Sequence, residues 1–180
     1  MTKKILTAFL AMVVSLSATS QVFNTGQTLK PRQFSLGIEP AVLIKGNGNF
    51  ILFLHGGAGI TNGIDLGLTL GVLGPDNYFG ANVEFAITRL LSIAVGAHNS
   101  NIFGIDATLN ATFPIRKDVN IFTGADIDID FPKNKAQLLL WLPIGVEVGL
   151  RNNVSFIFEA EIGLTDPAGS LIGGGLNFYF

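Results

Sequence analysis

The sequence predicts an all-β protein, a transmembrane up-and-down antiparallel β-barrel of about ten strands, with eight as the alternative count. Three observations predict it. Apolar and polar residues alternate with period two through most of the chain. Turn-forming residues break the alternation at regular intervals, and one face of the alternating runs is uncharged while the other collects most of the acids. Composition agrees. A length of 180 residues fits one domain, and 48% hydrophobic with only 13% charged residues excludes disorder. A net charge of -2 without a Lys/Arg-rich run offers nothing to neutralise a phosphate backbone, so no nucleic-acid partner is expected. The absence of cysteine removes disulfides, thiolate metal sites and cysteine nucleophiles.

The chain begins with an export address. Lys3 and Lys4 precede an apolar run from Ile5 to Leu16, then small residues ending in Ala18-Thr19-Ser20 before Gln21. This is the order of a secretory signal peptide, and the run is too short for a membrane-spanning helix. Residues 1–20 are therefore read as a signal peptide cleaved near Ser20/Gln21, residues 21–32 as a polar periplasmic lead-in, and residues 33–180 as the barrel domain.

The ten runs follow in order. Gln33 to Lys45 ends at Gly46-Asn47-Gly48. Phe50 to Ile60 turns at Thr61-Asn62-Gly63 into Ile64 to Leu73, which stops at Gly74-Pro75-Asp76. Asn77 to Thr88 meets Leu90 to His98 at Thr88-Arg89. Asn99-Ser100-Asn101 leads into Ile102 to Ile115, and Arg116-Lys117-Asp118 into Val119 to Phe131. Residues 132–137 precede Leu138 to Leu150, Arg151-Asn152-Asn153 precedes Val154 to Thr165, and Asp166-Pro167-Ala168-Gly169 precedes Ser170 to Phe180. Asn-Gly, Pro-Asp and Gly supply the backbone angles that tight hairpins require. Runs of this length, tilted, span a bilayer, and closure pairs every backbone group.

Successive strand residues point to opposite faces. In the ninth run Val154, Phe156, Phe158, Ala160, Ile162 and Leu164 share one face, and Ser155, Ile157, Glu159, Glu161, Gly163 and Thr165 the other. Over all runs the second face holds Glu39, Asp65, Glu84, Asp106, Asp126, Asp128, Asp130, Glu147, Glu159 and Glu161, ten of the 13 acids, together with His55 and most of the glycines. Alternation alone leaves open which face is inside. A solvated outer surface would mix Lys and Arg with its acids, whereas small residues suit a narrow lumen. Phenylalanines gather on the apolar face near its two rims: Phe50, Phe79, Phe103 and Phe131 at one, and Phe34, Phe113, Phe156, Phe178 and Phe180 at the other. That is the aromatic girdle of two membrane interfaces. Arg89, Arg116, Lys117 and Arg151 fall at the breaks of one rim, where ordinary solvated turns also explain them. The polar face is thus expected inside. An even strand number puts both barrel ends on one side, expected to be periplasmic.

The final residues Ile172, Gly174, Leu176, Phe178 and Phe180 alternate to a terminal Phe, with Tyr179 between. With the barrel pattern over residues 33–180, this resembles the small outer-membrane β-barrel proteins of Gram-negative bacteria, the group of outer-membrane protein A-like and W-like barrels. The resemblance implies outer-membrane lipid as surroundings. It also implies that the barrel assembly machinery reads Ile172, Leu176, Phe178 and Phe180 as an insertion signal. Short outward loops and the lack of a peptidoglycan-binding domain keep receptor and anchoring roles from transferring.

For chemistry, Asp126-x-Asp128-x-Asp130 resembles the start of a calcium loop, but Phe131 and Gln137 stand where Gly and Glu are required. Carboxylates on one strand face lie about 6.6 Å apart, so they form a ladder near the outer mouth. A hydrated rim is the plain alternative. If the last hairpin is centred on Pro167, Glu159 and Glu161 face Gly175 and Gly173; if the first is centred on Asn47, Glu39 faces His55 in a structural ion pair. Crowded carboxylates need compensation by cations, by protons or by His55. His98-Asn99-Ser100-Asn101 puts a histidine and a hydroxyl at a loop, without a nucleophile motif, and Gly173-Gly174-Gly175 makes room rather than cradling phosphate. No catalytic residue, metal or cofactor is expected. The lumen candidates are Glu39, His55, Glu84, Asp106, Asp126, Asp128, Asp130, Glu147, Glu159 and Glu161. The expected function is a narrow cation-preferring pore or small-solute passage, since acidic rings select cations. The alternative is a closed structural or interaction barrel plugged by Trp141, Phe53, Phe122 and Tyr179, and a minor one is a soluble lipocalin-like binder of apolar ligands.

Overall fold

The computed structural model describes residues 25–44 and 48–180. The expected signal peptide and the Lys45-Gly46-Asn47 part of the first turn lie outside the described residues. Ten strands form one closed antiparallel barrel. They are β1 (Phe34–Ile44), β2 (Asn49–Thr61), β3 (Ile64–Val72), β4 (Tyr78–Ala86), β5 (Leu91–Asn99), β6 (Phe103–Arg116), β7 (Val119–Asp130), β8 (Gln137–Arg151), β9 (Val154–Gly163) and β10 (Ser170–Tyr179). Each expected run becomes one strand, with bounds displaced by two residues at most. Ten is therefore the count, not eight.

Each strand pairs with its sequence neighbours, and β1 closes on β10. At the seam Phe34 N donates to Phe180 O at 3.1 Å and Phe180 N to Phe34 O at 2.9 Å. No edge is left to template aggregation. Both barrel ends of the chain lie at one mouth, the near end, together with the turns at 62–63, 87–90, 117–118 and 152–153. The remaining turns share the far end. Gly63, between β2 and β3, has φ 87°, a left-handed conformation that glycine adopts without a steric cost.

Two registers differ from expectation. In the first hairpin Glu39 pairs with Phe53, and His55 with Gly37. In the last, Glu159 pairs with Gly173 and Glu161 with Leu171, so neither expected partner holds. Both slips are by two residues. A slip of two preserves the face of every side chain, where a slip of one would invert it, so turn geometry could move the register without disturbing the alternation.

The apolar face points outward. Among the described residues thirty-five large apolar side chains are exposed, Leu36, Leu68, Phe79, Phe103, Phe156 and Phe158 among them, whereas the fully buried apolar cluster consists of Phe122 and Ile157. Buried positions otherwise go mostly to polar groups such as Ser35, Glu39, Ser92, Thr112 and Asn177. Burying one such apolar side chain is worth roughly 1.5–3 kcal/mol, so a fold that faces this many outward requires an apolar surrounding. This orientation overturns the lipocalin-like alternative, which needs the apolar face inside. At the far rim Phe103 and Phe131 stack with centroids 6.1 Å apart.

Candidate functional site

The inward face of the strands builds a polar lumen, and its far half is organised around a histidine. β5 carries Ser92, Ala94, Gly96 and His98 on its inner face, and His98 is only 5% exposed. The ladder places His98 opposite Gly104 on β6, and Gly104 opposite Asp130 on β7. A Cβ on Gly104 would collide with the His98 ring and with the Asp130 carboxylate. Glycine there lets the imidazole reach across a whole strand: His98 Nε2 lies 2.9 Å from Asp130 Oδ1 and 3.8 Å from Asp128 Oδ2, and Nδ1 lies 3.3 Å from Asp106 Oδ2. Tyr78 of β4 stacks on the His98 ring at 5.7 Å and 18°. Phe53 of β2 meets Tyr78 edge-on at 5.9 Å.

Midway down, His55 Nε2 is 2.9 Å from Glu39 Oε2. Though two residues out of register, the two side chains share a face and meet diagonally, as long side chains on neighbouring strands can. The two expected partners therefore meet despite the register. Glycine at position 173 leaves room for the Glu39 carboxylate, which a Cβ would meet. Thr108 Oγ1 donates to Asp126 Oδ1 at 2.6 Å. Deeper still, Ser92 donates to Glu84.

The near end is filled in two ways. On the β7 to β10 side, Phe122, Ile157 and Tyr179 pack together with Glu147, which accepts from Tyr179 OH at 3.1 Å and from Asn120 Nδ2 at 3.0 Å. On the β2 to β6 side residues 25–32 of the lead-in fold into the mouth. Arg32 N donates to Gly59 O at 2.9 Å, Leu29 N to Asp65 Oδ2 at 2.7 Å and Gly26 N to Thr112 Oγ1 at 2.7 Å. Leu29 and Thr25 are each 1% exposed. Gly26 runs so close to the wall that a Cβ would stand 2.9 Å from the carbonyl oxygens of Asn110 and Leu90. Nothing in the polar composition of the lead-in distinguishes such a strap from a free tail.

Above this layer a cavity of about 400 Å³ extends from the far mouth, at Pro75, Trp141 and Leu171, down to Asp65, Glu84 and Asn110. Its wall carries the carboxylates of Glu39, Asp65, Asp76, Glu84, Asp106, Asp126, Asp128, Asp130, Glu159 and Glu161, two histidines and, among the described residues, no Lys or Arg. Of the lumen candidates, all but Glu147 line this cavity; Glu147 belongs to the packed layer below. Of the four expected plug residues, Phe122 and Tyr179 lie in that layer, whereas Phe53 and Trp141 line the cavity, Trp141 Nε1 donating to Gly169 O at 2.8 Å. Ile172 and Phe178 point outward from β10, Leu176 is half-buried on the same face, and Phe180 completes the seam.

Two lumen residues were placed differently by sequence reasoning. His98, expected as the last residue of the fifth run at the edge of a loop and not as a lumen candidate, is the centre of the far-end carboxylate cluster. Its parity with Ser92, Ala94 and Gly96 was the available signal, obscured by the turn residues that follow it. Asp65 was sorted to the polar face, but not as a lumen candidate, and it holds the lead-in.

No protein-family model matches the chain, and no curated protein matches it. Several solved structures are similar to it. The KdgM porin is 11% identical, covering 81% of this chain and 99% of that one, with a TM-score of 0.49. The N-terminal β-barrel domain of Pseudomonas aeruginosa OprF is 12% identical, covering 83% and 98%, with a TM-score of 0.42. The outer membrane protein OprG from Pseudomonas aeruginosa is 11% identical, covering 87% and 99%, with a TM-score of 0.40. No residue of this chain takes a role from these likenesses.

Proposed function

We propose that the protein is an exported outer-membrane β-barrel of a Gram-negative cell, whose lumen is a cation-selective vestibule that opens at the outer surface and is closed on the periplasmic side. One observation carries this reading: an apolar-coated barrel encloses a cavity lined by carboxylates with, among the described residues, no Lys or Arg in its wall. The outward apolar belt suits outer-membrane lipid, and the C-terminal Ile172, Leu176, Phe178 and Phe180 suit recognition by the barrel assembly machinery. The strands themselves catalyse nothing in this reading. A cleft lined by charge of one sign, with low-dielectric walls, concentrates counter-ions, and acidic rings favour cations over anions. Passage through the barrel is the second part of the reading. It requires the near-end strap, which is no part of the strand ladder, to leave.

The chain has no native cysteine, so a single one at Leu139, which lines the cavity opposite Asp128, can report the sign of the field. In the refolded barrel Leu139→Cys is expected to react about tenfold faster or more with a cationic thiosulfonate than with an anionic one of similar size. Added salt should shrink the ratio, and so should Asp126→Asn, Asp128→Asn and Asp130→Asn together. Equal rates, or faster reaction with the anion, would overturn the proposal.

A further inference from the structure

We propose that the cavity is a binding site for a linear organic polycation, a chain of protonated amines joined by short alkyl spacers. This deepens the vestibule reading and rests on it. The carboxylates do not converge on a point. Among the described residues no three carboxylate or imidazole groups are placed to hold a metal ion, and where Asp106, Asp128 and Asp130 come nearest to doing so, the His98 ring already occupies the space between them. The acids are instead strung along the lumen. Tyr78 and Glu84, both in the wall, are six residues apart on β4, roughly 20 Å of strand at about 3.3 Å per residue. Neighbouring acids on one strand, such as Asp126 and Asp128, stand about 6.6 Å apart, within reach of amines on a short spacer. A compact divalent ion could satisfy one rung of this ladder at a time, while a linear polyamine spans several.

Two further features fit an organic cation. Phe53, Tyr78 and Trp141 contribute aromatic surface to a wall otherwise rich in acid, so methylene spacers and ammonium groups both find contacts. At the deep end Asn110 is 3% exposed and lines the cavity, and its Oδ1 has no hydrogen-bond partner among the described residues. That oxygen lies beside Gly124, the ladder partner of Asn110 on β7, where a Cβ would stand 3.1 Å from it. A buried acceptor calls for a donor, and a terminal ammonium with three N–H groups supplies one.

Titration calorimetry on the full barrel refolded in zwitterionic detergent tests this, with spermidine and magnesium chloride as probes at equal ionic strength. Spermidine is expected to bind saturably, at least about tenfold more tightly than magnesium, and Tyr78→Leu to weaken it about tenfold through loss of the cation–π face. Asn110→Leu should weaken spermidine several-fold while leaving the weak magnesium response unchanged, which a general loss of charge would not do. Heat-modifiable migration on a gel confirms that each variant has folded. Magnesium binding as tightly as spermidine would overturn the polyamine assignment while leaving the cation vestibule intact. Binding of neither probe, with Leu139→Cys still favouring cationic reagents, would overturn the site alone; failure of both experiments would remove the vestibule as well.

Discussion

Leu68→Arg is expected to lower the stability of the barrel in phospholipid vesicles by about 2–4 kcal/mol. Leu68 is the midpoint of β3, points outward and is 53% exposed. Its ladder neighbours, Gly56 and Ala81, are too small to shield an introduced guanidinium. In lipid the charge must be dragged to the bilayer centre or must distort the bilayer to reach water. Ile44→Arg at the far-end terminus of β1, also outward, should cost only about 0–1 kcal/mol, because an interface hydrates the charge. Urea titrations followed through Trp141, the only tryptophan, give both values. Depth dependence is the diagnostic. A barrel that lived in water would tolerate Arg at either exposed position to within about 0.5 kcal/mol, so equal and small costs would remove the membrane from the proposal.

Removing the lead-in through Arg32 is expected to turn a closed barrel into a conducting one. In the intact protein the β2 to β6 half of the near mouth is occupied by the strap that Asp65, Thr112 and Gly59 hold, while Phe122, Ile157 and Tyr179 fill the other half. Deletion leaves every β1 to β10 pairing in place and removes only the strap. Recorded in planar bilayers, the intact chain should show no sustained current, and the shortened chain an ion flux about tenfold higher or more, with a cation-selective reversal potential in a salt gradient. Adding Asp126→Asn, Asp128→Asn and Asp130→Asn should draw that potential toward zero. Continued silence from the folded, shortened barrel would mean that the Phe122 layer seals the lumen by itself. Steady current from the intact chain would mean that the near end is open.

The barrel was legible because alternation is a local property: the parity of Val154, Phe156 and Phe158 against Ser155, Ile157 and Glu159 survives any register. Register itself was not legible to better than two residues, since Gly46-Asn47-Gly48 and Asp166-Pro167-Ala168-Gly169 each admit turns of different length with the same facing. The Glu39–His55 pair was found for the right face and the wrong rung. Contacts reaching across an intervening strand lay further out of view. His98 meets Asp130 only because Gly104 has no side chain, a three-strand arrangement that no single hairpin contains. The strap was invisible for another reason. A polar segment inside a polar lumen carries the same composition as one in water, and only its hydrogen bonds to Asp65 and Thr112 tell them apart.

Single cysteines placed one at a time along β9, from Ser155 to Ala160, each labelled with an environment-sensitive dye in vesicles containing brominated lipid, put the inside-out barrel to its most direct test. Quenching is expected at positions 156, 158 and 160, whose side chains face outward, and protection at 155, 157 and 159, where Ser155, Ile157 and Glu159 are buried in the lumen. Quenching in the opposite phase, or at none of the six positions, would contradict a barrel that shows its apolar face to lipid.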